Sequence, residues 1–413
     1  MEMPKSYNIL LLAINLTSRC NLACHHCYLD AGTLQQGSPN ELTTPEVCEL
    51  LNDIAQRSPE TMIVLTGGEP LIRNDLEVLI KQGTQLGLAM VVGTNGMLLT
   101  DKRVQALKNV GILGVGISLD SLNPAHHDAF RGMQGSWDKT MLGIENCRRH
   151  HLSFQLHFSV TENNADELPA MIDFARSSGA RVFNVFFLVC TGRGQLMSDI
   201  SATRYEQILK YLIDAQAQNQ DLIIRPRCAP HYKRIAHQQQ PESLLNQISG
   251  MEGDGCIAGT HYCRITPTGG ITACPYIPVE MGNIRQRPFW DIWDNEFKEL
   301  RTPQLRGDCG DCEYQKLCGG CRARPLAAGG HLMDADTLCT YQPEGNAIIQ
   351  PLQNLNLKWT PEAEQRMTRI PAFLRQMVKK RAEAYVAELG EPLVTSEHLA
   401  VLSARRFGGK PSV

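Results

Sequence analysis

Short apolar runs alternate with amphipathic segments through the first half of the chain. Six of these runs are rich in β-branched or aromatic residues and are bounded by turn residues. They predict strands at 8–15, 61–65, 88–92, 114–119, 154–160 and 182–189. Helix-start signals precede the segments between them, at Thr44-Pro45-Glu46, Thr100-Asp101, Ser136 and Asn164-Ala165-Asp166. Repeated strand–helix units imply parallel strands with crossover helices, in an incomplete barrel or a doubly wound sheet.

Polar segments follow each predicted strand. They are the cysteine motif CNLACHHC (20–27), GGEP (67–70), TNG (94–96), SLDS (118–121), TENN (161–164) and CTGRG (190–194). Ligands of parallel α/β architectures bind at the carboxyl ends of the strands, so we expect these segments to converge on one polar site.

The second half of the chain predicts smaller units. A Gln-rich stretch, AHQQQPESLLNQ, favours a solvated linker. In the tail, Thr360-Pro361-Glu362 starts a helix, Pro371 interrupts it, and a second helix ends at Gly390. The predicted domains are a barrel at 1–220, a linker at 221–250, a cysteine-rich domain at 251–345 and a small α-helical domain at 346–413.

Composition narrows the function classes. The chain has 413 residues, 43% of them hydrophobic, with no apolar run long enough for a membrane span and no secretory signal at its start. A cytoplasmic protein is therefore expected. A formal net charge of -3 does not favour nucleic acid or an anionic membrane as partner. The basic residues of the tail suit either a solvated helix face or an anion site.

Fifteen cysteines are many for such a chain, and reduced thiols that bind metal are the better interpretation. The spacing C-x3-C-x2-C places Cys20, Cys24 and Cys27 in one loop. Three thiolates on a cubane iron-sulfur cluster leave one iron open for a substrate or cofactor. The alternatives are a zinc site with a distant fourth ligand, helped by His25 or His26, or chance spacing. GGEP and SLD favour the cluster.

Over residues 8–200 the chain resembles the radical S-adenosylmethionine enzymes, because the cysteine motif, GGEP and SLD occur in that family's order. The resemblance implies a partial (β/α)6 TIM-like barrel and a [4Fe-4S] cluster on Cys20, Cys24 and Cys27. In the family, the cofactor's methionine moiety binds the open iron, and one electron cleaves the cofactor to a 5′-deoxyadenosyl radical. The implied cofactor contacts are Gly67, Gly68 and Glu69 for the amino group, Ser118 and Asp120 near the ribose, Asn95, and His26 stacked on adenine. The residue before the third cysteine is commonly aromatic in the family, whereas here it is His26.

Two arginines near the expected cofactor, Arg131 and Arg193, are not included in the predicted site. The sequence does not separate carboxylate binding by these residues from an ordinary surface charge.

Eight cysteines lie between residues 256 and 339, enough for two four-thiolate sites. Two structural zinc ions are the alternative to iron-sulfur clusters. The spacing, with Gly269 before Cys274, resembles the SPASM extension of radical S-adenosylmethionine enzymes. That resemblance implies one auxiliary [4Fe-4S] cluster on Cys256, Cys263, Cys274 and Cys321, and another on Cys309, Cys312, Cys318 and Cys339. Three clusters in all are therefore expected.

Two segments bear on the substrate. GCIAGTHYCRITPTGGITACPYIP and CYLDAG are similar to those of radical enzymes that modify porphyrinoid side chains in haem and haem d1 biosynthesis. The tail resembles a small domain of the light-independent protochlorophyllide reductase. These resemblances imply oxidative decarboxylation of a tetrapyrrole side chain, with flavodoxin or ferredoxin as electron donor. Maturation of a peptide or metalloenzyme, and a non-catalytic iron-sulfur electron carrier, remain alternatives.

Overall fold

The computed structural model describes residues 7–29, 31, 37–196, 200–219, 221–247, 255–352, 355–370 and 372–407. Its strands are β1 Leu11–Thr17, β2 Met62–Gly67, β3 Ala89–Thr94, β4 Gly114–Ser118, β5 Phe154–Val160, β6 Val182–Phe187, β7 Ile223–Arg227, β8 Tyr262–Ile265, β9 Gly270–Cys274, β10 Ile277–Asn283, β11 Lys358–Trp359 and β12 Leu393–Val394.

The helices alternate with the first seven strands, and further helices follow as far as Phe407. They are α1 Thr44–Arg57, α2 Leu76–Gln85, α3 Asp101–Asn109, α4 Pro124–Arg131, α5 Ser136–Arg149, α6 Leu168–Ser177, α7 Ala202–Gln218, α8 His231–Gln239, α9 Leu244–Gln247, α10 Phe289–Glu296, α11 Lys298–Arg301, α12 Asp308–Asp311, α13 Ala323–Ala327, α14 Pro361–Thr368, α15 Ala372–Glu388 and α16 Ser396–Phe407.

One sheet organises the barrel and the cysteine-rich region together. Its strand order is β10-β9-β8-β1-β2-β3-β4-β5-β6-β7. Strands β1 to β7 are parallel, β8 is parallel to β1, and β9 and β10 add an antiparallel hairpin. The six strands predicted from the sequence are β1 to β6, and the expected parallel α/β barrel is confirmed.

The predicted linker at 221–250 differs from the structure. Residues Ile223–Arg227 form β7, which pairs with β6, and His231–Gln239 form α8. The prediction of a linker is therefore wrong for these residues. The segment IIRPR has only two apolar residues and a proline, which hides it as a strand. A proline is tolerated there because β7 is the last strand of the sheet.

Side-chain alternation gives the sheet one apolar face and one polar face. In β5, Phe154, Leu156 and Phe158 belong to the buried core beneath the helices, whereas Gln155 and His157 point to the other face. Each large apolar side chain buried in this way stabilises the fold by roughly 1.5–3 kcal/mol. The polar face lines the inside of the partial barrel and carries residues available for a site.

Capping residues fix where several helices begin. Thr43 accepts from the backbone N–H of Glu46, and the Glu46 side chain accepts from the backbone N–H of Thr43 at 2.8 Å, so α1 has a complete capping box. Thr100 caps α3, and α5 begins at Ser136. These starts agree with the sequence signals.

The tail forms a small domain with its own apolar core, built around Ala363, Ala382 and Val386. Its helix α15 packs against α9, where the Glu388 carboxylate accepts from the backbone N–H of Leu244 at 2.9 Å. Pro371, predicted to separate the two tail helices, lies outside the described residues. None of the described helices is long and apolar enough to cross a membrane.

Candidate cluster and cofactor site

The three-cysteine loop follows β1 directly, at the carboxyl end of the strand. Backbone N–H groups donate to two of its sulfurs, Leu22 to Cys20 Sγ and Ala31 to Cys27 Sγ, both at 3.4 Å. Such bonds favour the thiolate form that binds metal. All fifteen cysteines are free thiols.

Burial works against those thiolates in the absence of a metal. It raises the pKa of Cys20 to about 12. Burial also raises the pKa of Cys24, although the nearby Arg131 guanidinium offsets part of that rise. A coordinated metal deprotonates a thiol outright. Buried, unpaired thiols next to N–H donors are therefore suited to hold an iron-sulfur cluster.

The GGEP segment packs directly against the start of the cysteine loop. A Cβ on Gly67 would overlap the carbonyl oxygen of Thr17, and one on Gly68 would overlap that of Arg19. The backbone N–H groups of Gly68 and Glu69 donate to those two carbonyls at 2.7 and 2.8 Å. Only glycine allows this approach, which fixes β2 beside the residue that precedes Cys20.

The Glu69 carboxylate is fully buried and joins two strand ends. It accepts from the Thr94 hydroxyl at 2.8 Å and from the backbone N–H of Asn95 at 2.8 Å. Asn95 Nδ2 in turn donates to Asn21 Oδ1 at 2.7 Å, next to Cys20. Burial raises the pKa of Glu69 to about 7, with these hydrogen bonds opposing the rise. The predicted cofactor contacts of Gly67, Gly68, Glu69 and Asn95 thus lie together beside the loop.

Asp120 lies just beyond the end of β4 in a buried ion pair. Its side chain is buried, pairs with the Arg131 guanidinium and accepts from the backbone N–H of Ser159 at 2.8 Å. Burial alone would raise the pKa of Asp120, but Arg131 and nearby histidines hold it below its ordinary value. Ser118 ends β4 on the inner face of the barrel, opposite His157. Ribose contact by Asp120 and Ser118 remains a prediction.

Arg131 connects the Asp120 carboxylate to the cysteine loop. Its Nη1 donates to Cys24 Sγ at 3.7 Å, and its side chain is buried. The position of Arg131 at the end of α4, eleven residues beyond SLD in sequence, gives no signal of this long-range contact.

His26 stacks on Phe130, with ring centroids 4.2 Å apart and an interplanar angle of 13°. Burial, followed by the Arg131 charge, lowers the pKa of His26 to about 4, so the ring is neutral at neutral pH. Its Nδ1 atom is buried and has no hydrogen-bond partner. Stacking of His26 on adenine also remains a prediction.

Arg193, which the sequence analysis leaves out of the predicted site, contacts the cysteine loop. Its Nε donates to the Cys24 carbonyl at 3.0 Å, and its backbone N–H donates to the Cys27 carbonyl at 3.0 Å. The placement of CTGRG after the sixth strand was the available signal. β1, β2, β3 and β6 therefore position the cysteine loop together.

A cavity in the cysteine-rich region collects four of the predicted auxiliary ligands. The cavity is lined by Cys309, Cys312, Cys318 and Cys339. Arg234 and His231 also line it. These four cysteines are the group implied by the family resemblance for one auxiliary cluster.

The other predicted group is only partly brought together. Burial raises the pKa of Cys274, and the nearby thiols of Cys256 and Cys321 raise it further. Cys263 points to the opposite face of the sheet, because it lies one residue from Arg264 in β8, whose side chain is on the inner face. The structure therefore does not place Cys263 with the other three.

The zinc alternative requires ligands that converge on one point at about 2.0–2.3 Å. Cubane thiolates instead each bind a different iron atom. The three-cysteine loop, the close backbone approach at Gly67 and Gly68, and the buried His26 Nδ1 without a hydrogen-bond partner fit a cluster that binds a cofactor.

The fold and the cysteine loop define a radical S-adenosylmethionine enzyme with an iron-sulfur extension. Family models match residues 14–175 (radical SAM superfamily), 256–322 (SPASM, iron-sulfur cluster-binding domain) and 359–401 (proto-chlorophyllide reductase 57 kD subunit). The chain belongs to the radical SAM superfamily.

Two curated relatives and one solved structure place it further. The AdoMet-dependent heme synthase of Methanosarcina barkeri strain Fusaro is 39% identical over 342 residues, which cover 81% of this chain and 97% of that protein. The pre-heme d1 synthase of Dinoroseobacter shibae is 31% identical over 380 residues, covering 87% and 93%. Streptococcus suis SuiB bound to S-adenosylmethionine superposes with a TM-score of 0.67 at 17% identity, over 81% and 78% of the two chains, and shares the fold.

Proposed function

We propose that this enzyme oxidatively decarboxylates a propionate side chain of a tetrapyrrole, using S-adenosylmethionine and three [4Fe-4S] clusters. The relatives named as a heme synthase and a pre-heme d1 synthase support the substrate class. Cys20, Cys24 and Cys27 would hold the first cluster, with Gly67, Gly68, Glu69, Asn95, Ser118, Asp120 and His26 around the cofactor.

The inner face of the barrel carries the observation on which this proposal depends. Three arginines, Arg225 and Arg227 on β7 and Arg264 on β8, alternate with core residues and so point inward. Arg227 Nε donates to Asn184 Oδ1 at 2.9 Å, and Arg264 Nε donates to Thr272 Oγ1 at 3.0 Å. An acidic macrocycle offers carboxylates that such guanidinium groups bind strongly.

Aromatic and neutral polar groups complete this surface. Phe186 faces inward on β6, and its ring centroid lies 5.2 Å from that of His157. A Cβ on Gly116 would overlap the His157 ring, so glycine at this position makes room for it. Burial, then the Arg227 charge, lowers the pKa of His157 to about 4. Apolar rings beside positive charge suit a flat macrocycle with acidic arms.

The basic residues of the tail are less suited to this role. Arg366 Nη1 donates to the Ser396 carbonyl at 3.3 Å, and Arg375 Nε donates to the Ile370 carbonyl at 2.8 Å. Lys379 lies 4.0 Å from Glu383. These contacts hold the helices of the tail itself, whereas the three barrel arginines lie on the same inner face as Ser118 and His157, so we assign propionate binding to the barrel.

The proposed reaction consumes one electron to cleave the cofactor and releases one electron from the substrate. A reduced cluster held by Cys20, Cys24 and Cys27 would supply one electron for cleavage of S-adenosylmethionine, and the cleaved cofactor would supply a radical that abstracts hydrogen. The propionate then loses a hydrogen atom, which completes 5′-deoxyadenosine, and releases carbon dioxide and one electron to leave a vinyl group. Clusters closed by four thiolates suit the role of acceptor for that electron.

Two tyrosines lie between the loop and the auxiliary region. Tyr28 follows Cys27, and its ring centroid is 5.6 Å from that of Tyr276, which follows Cys274 by two residues. This contact offers a short route for the outgoing electron. Flavodoxin or ferredoxin would supply the first electron in the cytoplasm.

The test is anaerobic reconstitution with iron and sulfide, followed by incubation with S-adenosylmethionine, a reductant and iron-free or iron-containing porphyrin propionates. We expect the macrocycle to lose carbon dioxide and two hydrogen atoms by mass, with release of 5′-deoxyadenosine. The Arg227→Gln variant should raise the KM for the macrocycle, whereas Arg176→Gln on the exposed face of α6 should not. Modification of candidate peptides alone, or no 5′-deoxyadenosine, would overturn the proposal.

A further inference from the structure

Because Cys263 is not placed with Cys256, Cys274 and Cys321, this auxiliary site needs a different fourth ligand. In β8, Cys263 and Ile265 are completely buried in the apolar core, whereas Arg264 between them donates to Thr272 on β9. Thr272 and Cys274 are two residues apart in β9 and share its inner face. Cys263 and Cys274 therefore lie on opposite faces of the same sheet.

The surroundings of Cys263 confirm that separation. Burial raises the pKa of Cys263, and the nearby Arg301 guanidinium, at the end of α11, opposes that rise. Arg301 lies over the ring of Trp293, 4.7 Å from its centroid, in the helical layer outside the sheet. A strand must slip by one residue to exchange its two faces, which would also move Ile265 out of the core. Cys263 is thus held as a core residue.

A different cysteine occupies the inner side. Cys228 follows Arg227 at the carboxyl end of β7, with a left-handed φ of 55°. For a residue other than glycine, such a conformation is strained and persists only where the surroundings impose it. The Arg324 guanidinium donates to the Cys228 carbonyl, and the Tyr276 hydroxyl hydrogen-bonds to its side chain.

The same groups that hold Cys228 also hold Cys321. Arg324 Nη1 donates to Asp336 Oδ2 at 2.7 Å, and that oxygen accepts from the backbone N–H of Cys321 at 2.6 Å. Cys274 joins them through Tyr276, whose backbone N–H donates to Cys274 Sγ at 3.4 Å.

The thiols in this group are close enough to interact. The pKa of Cys321 is raised by burial first, and further by the nearby thiols of Cys256 and Cys228. The pKa of Cys274 is raised by burial and by the same neighbours together with Cys321. Hydrogen bonds through Arg324, Asp336 and Tyr276 therefore bring together Cys228 at the end of β7, Cys274 at the end of β9 and Cys321. The Cys256 thiol lies near them.

We propose that Cys228, with Cys256, Cys274 and Cys321, holds one auxiliary [4Fe-4S] cluster, and that Cys263 is a core residue and not a ligand. This inference rests on the proposed function, because it assumes that the cysteine-rich region holds iron-sulfur clusters. It ties that cluster to the last strand of the barrel as well as to the cysteine-rich region. Cys228 looks solitary in sequence because the strand that delivers it is hard to recognise.

The test counts iron in full-length chains that lack the first cluster. In a background with Cys20, Cys24 and Cys27 changed to Ala, anaerobic reconstitution loads only the auxiliary sites. Adding Cys228→Ala should remove about half of the bound iron and sulfide and one of the two reduced-state electron paramagnetic resonance signals. Adding Cys263→Ala, the matched control, should leave both unchanged.

The outcomes separate the two proposals. If the triple-Ala background binds no iron at all, the proposed auxiliary clusters fail. If that background is loaded but Cys263→Ala halves the iron, or Cys228→Ala does not, this ligand assignment is overturned. Circular dichroism of each variant checks that the chain is folded. Cys228→Ser gives a second readout, because an oxygen ligand should keep the iron but shift the reduction potential and the resonance signal.

Discussion

The loop at Cys24 and the site at Cys321 contain the same electrostatic arrangement with a different number of thiols. At the loop, Arg131 pairs with Asp120 and donates to Cys24 Sγ at 3.7 Å. At the auxiliary site, a buried Arg324–Asp336 pair holds the backbone of Cys321. At each site burial raises the pKa of the nearby thiol most, the arginine lowers it, and the aspartate raises it. What differs is the number of thiols: three in the loop and, in the assignment proposed above, four at the auxiliary site.

This difference in ligand number distinguishes a cluster that can bind the cofactor from a cluster that can only transfer electrons. A cluster with three protein thiolates keeps an iron available for the cofactor, and a cluster with four has none available. An arginine–aspartate pair occurs at both sites, so this pair does not distinguish them. In the proposed assignment the number of ligands distinguishes them, and the strands that deliver those ligands set that number.

Breaking one thiolate in each region gives the largest expected contrast. Cys24→Ala should abolish 5′-deoxyadenosine release, because the cofactor loses its cluster. Cys312→Ala should leave that release intact but stop multiple turnover of substrate. Anaerobic assays with product quantified by chromatography measure both. Cys147→Ala, a buried cysteine in α5, is the control and should behave like the unchanged chain. Equal losses in both cysteine variants would contradict the division of roles.

Removing the arginine of each pair comes next in size. Arg131→Met leaves Asp120 buried without its partner and should lower the free energy of unfolding by about 3–5 kcal/mol. Arg324→Met should have a comparable effect through Asp336. Denaturant titration under anaerobic conditions compares the variants, and the double variant Arg131→Met with Asp120→Asn should recover much of the loss. A loss below about 1 kcal/mol would show that Arg131 is not needed to offset the Asp120 charge.

A histidine accompanies each pair, and its titration gives the smallest effect. His127 Nδ1 accepts from the backbone N–H of Asp120 at 3.3 Å. Burial, then Arg131, lowers the pKa of His127 to about 4 from 6.5. As pH falls, the unfolded chain therefore takes up the proton first, and stability is lost between these two values.

Between about pH 7 and about pH 5.5 the expected loss from His127 is about 1 kcal/mol. Thermal melting at the two pH values measures it, and His127→Asn, which keeps an acceptor for the Asp120 N–H, should reduce the difference. His231 beside Asp336 has a pKa lowered to about 4 in the same way and supplies the matched comparison. An unchanged pH dependence in the His127 variant would show that this residue is already charged or exposed.

The sequence predicts the parts of this molecule that depend on local pattern. The strands β1 to β6 and the starts of α1, α3 and α5 follow from apolar runs and capping residues. The three-cysteine loop and GGEP are short motifs, and their proximity follows from parallel strands. These features need no knowledge of distant contacts.

Features that depend on distant contacts were not predictable in the same way. Asp120 is paired by Arg131, which lies in a following helix and has no spacing rule to reveal it. The ligand role of Cys263 was inferred from spacing, whereas the alternation of β8 decides which face it occupies. β7 was missed because its inward positions are arginines, which interrupt the apolar run that marks the other strands.

Strand β1 is synthesised long before β8, which is one of its two neighbours in the sheet. β1 pairs with β2 on one side and with β8 on the other, where Leu11 is opposite Tyr262. A ribosome adding about 5–20 residues per second needs on the order of ten seconds or more to make that distance. Until then one edge of β1 has open backbone groups that can pair with other chains. Overexpression without added chaperones, or truncation of the chain before β8, should therefore favour aggregation through β1, the strand that precedes the cysteine loop.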